Sequence, residues 1–130
     1  MSQERVRFLF LNVGHAFDHL FMLLFPTVVL ALESEWGRPY SELLPLSLGG
    51  FIAFGAGAVP AGWLGDRWSR KHMLTVFFLG IGASSIAAGF ATGPATLALA
   101  LTAVGAFASI YHPVGTAMVN VRRLGTSGSR

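Results

Sequence analysis

Four apolar runs divide the chain, at 8–32, 43–64, 73–91 and 95–121, with short polar segments between them. Each is close to the ~20 residues that carry a helix across ~30 Å of hydrocarbon. None alternates like a barrel strand, and in lipid only helices and closed barrels satisfy their own backbone groups. The pattern predicts an all-α membrane protein of four transmembrane helices. Its parts are a cytoplasmic N-terminus (1–7), a four-span region (8–121) and a polar tail (122–130) read as disordered. The loops fall at 33–42, 65–72 and 92–94. The first run is longer than the roughly 7–15-residue core of a signal peptide and carries Asn12, His15, Asp18 and His19, so it reads as a retained span.

Small residues recur inside the runs at helical spacing. Gly49, Ala53, Gly57, Ala61 and Gly65 form one stripe in the second span. Gly80, Ser84 and Ala88 repeat it in the third. The fourth carries two stripes, Leu101–Gly105–Ser109 and Ala98–Thr102–Ala106. Such stripes let helix backbones approach closely where no hydrophobic force acts between helices, so they predict packing seams. Pro26, Pro45, Pro60 and Pro113 lie within spans, and each removes a backbone donor and can kink its helix.

Composition agrees with a membrane protein: 53% of residues are hydrophobic and 12% charged, about half the charged share of soluble proteins. Cysteine is absent, which excludes disulfides and thiolate metal sites. The net charge of +3 does not point to nucleic acid, because the cations sit in short loops beside apolar spans. Arg5 and Arg7, then Arg67, Arg70 and Lys71, then Arg122, Arg123 and Arg130 occupy alternate segments. The opposite side holds Arg38 among Glu33, Glu35 and Glu42. The positive-inside rule places both termini in the cytoplasm, and the chain reads as an integral protein of the bacterial inner (plasma) membrane.

Ionisable groups inside a span are functional candidates by default. Asn12, His15, Asp18 and His19 recur at spacings of three and four along one face of the first span, and the fourth contributes Tyr111 and His112. At ~1.5 Å per residue, Asp18 and His19 lie roughly 17 Å beyond Arg7, and His112 roughly 15 Å before Arg122. The two groups reach similar depth on antiparallel helices. A histidine beside a carboxylate can hold and release a proton near neutral pH. The competing readings are hydrogen bonding that holds the bundle together and, for His15 and His19 with Asp18, divalent cation ligation. No metal or other cofactor is assigned. Serine–histidine, zinc-protease and phosphate-loop motifs are all missing, so the chain reads as a non-enzyme.

Between the second and third runs lies Gly62-Trp63-Leu64-Gly65-Asp66-Arg67-Trp68-Ser69-Arg70-Lys71. Gly62 and Gly65 read as permitting a tight exit from the span. Asp66 reads as an ion-pair partner of Arg67 or Arg70, or as a cap for a helix terminus elsewhere. The segment resembles the loop signature of the major facilitator superfamily, with Gly62, Leu64, Gly65, Asp66, Arg67, Arg70 and Lys71 in register. Gly14-His15-Ala16-Phe17-Asp18-His19 and Ser109-Ile110-Tyr111-His112-Pro113-Val114-Gly115 resemble the fosmidomycin-resistance type of efflux transporter.

The resemblance covers residues 8–121 and implies helices one to four of the N-terminal half of a twelve-helix bundle. It implies secondary active transport of a small solute or drug, by proton-coupled efflux. Helices one and four would line the central cavity, with the polar cluster on the substrate or proton path and the Gly62–Lys71 motif acting in gating. The partners would be lipid, the solute, protons and the remaining helices, so the chain reads as a truncated product or fragment. The alternative is a self-contained four-helix exporter that works as a dimer. Small multidrug-resistance proteins also carry an acid in helix one, but they lack the Gly62–Lys71 signature. Nothing argues for a third possibility, a non-transporting assembly subunit.

Overall fold

The computed structural model describes residues 3–125, with side chains as far as Met118. The elements are α1 (Gln3–Trp36), α2 (Tyr40–Leu43), a 3-10 turn (Leu44–Ser47), α3 (Leu48–Arg67), α4 (Arg70–Gly89), α5 (Pro94–Ala108) and α6 (Tyr111–Gly125). Among the described residues, four helical stretches are long and apolar enough to cross a membrane: α1, the run from α2 through α3, α4, and α5 with the start of α6. The all-α class and the four-span count hold.

Several boundaries move, each for a local reason. The first helix continues beyond the apolar run to Trp36 and ends at Gly37, whose φ of 61° gives the left-handed residue that terminates helices. Glu33 then accepts a hydrogen bond from the Tyr40 amide at 3.0 Å, which starts α2. Pro45 does not kink a continuous helix: its missing donor lies in the 3-10 turn between α2 and α3. Pro26 and Pro60 remain inside unbroken helices. Pro113 has the largest effect. The fourth span breaks at Ser109–Ile110, because a proline at 113 cannot donate to the Ser109 carbonyl. The polar tail is helical as far as Gly125, and residues 126–130 lie outside the described residues.

The fourth span is the most buried of the four and is the packing centre of the bundle. Its α5 segment lies against both α3 and α4. The small-residue stripes meet there. A Cβ on Gly105 would overlap the Gly50 carbonyl, and one on Gly50 would come within 2.7 Å of the Leu101 carbonyl oxygen. Gly49 faces Thr102, Gly57 faces Ser109 and Gly80 faces the Phe107 ring. One core cluster joins Phe77, Ile81, Val104, Ala108, Ile110 and Val114. A second joins Phe25, Val29, Leu43 and Leu97 at the other end of α1. Large apolar side chains such as Phe8, Leu23, Ile52, Leu79 and Phe90 point outward, as lipid contact requires.

Candidate functional site

Along α1 the buried positions are Gly14, Asp18, Phe25 and Val29, an inward stripe at helical spacing. Asp18 occupies one step of it and is 1% exposed. From the fourth span, α6 begins at Tyr111, which sets His112 in its first turn. His112 Nε2 lies 3.1 Å from Asp18 Oδ2. This is an ion-pair distance without hydrogen-bond alignment, and neither Asp18 oxygen has a hydrogen-bond partner among the described residues. An isolated buried carboxylate costs several kcal/mol, so it calls for a polar partner, and the His112 ring is the group that meets it.

His15 and His19 flank Asp18 on successive turns of α1, and both are exposed. The three imidazoles form one cluster. Ring centroids are 4.6 Å apart for His15 and His19, 5.6 Å for His15 and His112, and 5.7 Å for His19 and His112. Phe54 of α3 packs edge-on against His112 at 5.7 Å. Sequence pattern alone gave no reason to choose it from the many phenylalanines.

Tyr111 is buried and donates its hydroxyl hydrogen to the Leu11 carbonyl, tying α6 to α1. Its ring lies 5.7 Å from that of His15. Gly14 lets this ring approach, since a Cβ there would meet Tyr111 Cε2 at 2.7 Å. Tyr111 also lines a cavity of about 500 Å³ with Arg7, Lys71, Phe10 and Phe78. Arg7 and Lys71 thus share one end of the bundle. Asn12 stands apart from the cluster: its amide donates to the Phe8 carbonyl at 2.8 Å, and it lines a groove with Glu4, Arg5, Phe8 and Leu9.

The Gly62–Lys71 segment folds differently from the exit turn expected of it. Gly62 and Gly65 lie within α3, which runs on to Arg67. They serve α6 instead: a Cβ at Gly62 would meet Pro113 at 3.2 Å, and one at Gly65 would meet Val114 at 3.0 Å. The turn itself is at Trp68–Ser69. Ser69 has extended backbone and caps α4, accepting from the His72 amide at 3.4 Å. Asp66 pairs with Arg70 at 2.7 Å. Arg70 also donates to the Ala117 carbonyl of α6 at 3.4 Å. Arg67 does not join that pair and lies over the Trp63 ring, 4.6 Å from its centre.

Four helices long and apolar enough to cross a membrane, with a buried carboxylate meeting an imidazole between the first and last, define an integral membrane protein. The chain belongs to the Major Facilitator Superfamily, whose sequence model matches residues 11–121. It is 35% identical over 69 residues to the puromycin resistance protein pur8 of Streptomyces alboniger. That match covers 53% of this chain and 14% of pur8. No solved structure matches.

Proposed function

We propose that these four helices supply part of the pathway of a proton-coupled efflux transporter, with Asp18 and His112 handling the coupling proton. The observation that carries this reading is the 3.1 Å contact between Asp18 Oδ2 and His112 Nε2, made across two spans by a carboxylate that is 1% exposed. Buried ionisable pairs at mid-span are the usual parts of proton relays. His15, His19 and Tyr111 extend the polar surface from that pair toward the cavity lined by Arg7 and Lys71. The likeness to a puromycin resistance protein supports an organic, drug-like solute. It also supports the view that further helices complete the pathway. Positive-inside placement of Arg7 and Lys71 supports cytoplasmic termini in a bacterial inner membrane. The two His-containing motifs support the fosmidomycin-resistance type within the superfamily.

The test is puromycin movement in proteoliposomes with and without an imposed pH gradient. The chain is assayed alone and co-produced with the later helices of a pur8-type relative. Gradient-driven movement should be lost in Asp18→Asn and in His112→Ala. Undiminished gradient-driven movement in both variants would remove the pair from the coupling step.

A further inference from the structure

His15, His19 and His112 each offer a ring nitrogen, and these ligand atoms lie within 4.8 Å of one another. Spacing on α1 alone singles out His15 and His19, and the third imidazole comes from a different span. Nitrogens bound to one tetrahedral cation at about 2.0–2.1 Å stand about 3.4 Å apart. Small rotations of two exposed rings close that difference. Behind the cluster is Asp18, 1% exposed, with neither oxygen hydrogen-bonded and Oδ2 3.1 Å from His112 Nε2. A turn of the His112 ring that lines Nε2–H up with Oδ2 would fix the imidazole with Nδ1 left to serve as ligand. The buried negative charge favours a cation beside it.

We propose that His15, His19 and His112 form a three-nitrogen site for a divalent transition-metal cation such as Zn²⁺ or Co²⁺, with Asp18 positioning His112. Imidazole donors suit these ions over Mg²⁺ or Ca²⁺, which take oxygen. His15 and His19 are exposed, so the fourth coordination position is open and the ion exchangeable. That the ion binds rests on the three rings.

The experiment uses the full chain, purified in detergent without a polyhistidine tag, stripped with a chelator and titrated with Co²⁺. Three nitrogens in a four- or five-coordinate site give visible absorption far stronger than aqueous Co²⁺. One Co²⁺ per chain is expected, displaced by one equivalent of Zn²⁺. The double variant His15→Ala/His19→Ala should lose the band while keeping its helical circular dichroism, because neither ring is buried. Asp18→Asn should keep the band with affinity lowered about 10–100-fold, as for other carboxylates behind a ligating histidine. His72→Ala, which removes the remaining histidine, should change nothing. A missing band in the unaltered chain overturns the site, as does a band that survives in the double variant. No pH gradient enters this measurement, so its failure would leave the proton function of Asp18 and His112 standing, and failure of the vesicle assay would leave the metal site standing.

Discussion

Gly105 sits so close to the Gly50 carbonyl that a methyl group on Gly105 would overlap it. No other glycine among the described residues would bring a Cβ so near a backbone atom, and this seam carries the helix that leads into the histidine cluster. Gly105→Ala should lower the thermal unfolding midpoint in detergent, with a stability loss of the ~1–3 kcal/mol typical of overpacked cores. Gly82→Ala is the control, since a Cβ there meets nothing within 4 Å. Equal behaviour of the two variants would show that the seam is looser than its geometry.

Asp18→Asn should give chains that insert and fold yet fail to drive solute movement with a pH gradient. Asparagine keeps the shape of the side chain and removes the charge that faces His112. His15→Ala should have a smaller effect on the same assay, because His15 is exposed and water can take its place. An Asp18→Asn protein with wild-type gradient response would sink the coupling proposal.

Tyr111→Phe removes the hydrogen bond to the Leu11 carbonyl and keeps the ring. A loss of about 1 kcal/mol is expected, the typical net worth of one intramolecular hydrogen bond. Denaturant titration in mixed micelles reads it. No change would mean that the hydroxyl finds an equal partner elsewhere.

Asp66→Asn should alter stability by less than about 1 kcal/mol, because its partner lies one helical turn away and the carboxylate is exposed. Arg70→Ala should cost more, since it also frees the Ala117 carbonyl of α6. If both cost the same, the contact with α6 contributes nothing.

Single cysteines can be placed without background, as the chain has none. A membrane-impermeant thiol reagent applied outside cells should label Ser34→Cys and spare Ser69→Cys. The reverse pattern would invert the orientation and separate the Arg7–Lys71 end from the cytoplasm.

Much of this architecture can be read without coordinates, because lipid leaves a chain few choices. Apolar length marks the spans, and the four-residue recurrence of Gly49, Ala53, Gly57, Ala61 and Gly65 marks a face whose glycines meet the fourth span. Depth counting brings Asp18 to His112 because the counted stretches, Arg7 to Asp18 in α1 and His112 to Arg122 in α6, each lie within one unbroken helix. The same arithmetic fails for Asn12, which has the right spacing but bonds back to its own helix. Phe54 and Gly14 are hidden among similar residues, and only the packing of α3 and α6 around them gives them a role. Glycines at 62 and 65 suggest a turn, but α6 needs them as small surfaces inside a helix. Pro113 announces a disturbance, yet a kink and a full break differ only in how neighbouring helices take up the strain.

That break gives the fourth span a second amino end in the middle of the bundle. The first turn of a helix exposes amide hydrogens and carries about half a positive charge. Here that end belongs to α6, and His112 in its first turn reaches the Asp18 carboxylate. The carbonyl end of α5 lies just before it with the opposite half-charge, so the break acts through direction rather than field: it decides which residue of the fourth span faces the buried Asp18. Joining α5 and α6 into a single uninterrupted rod would change that facing without altering any side chain of the cluster.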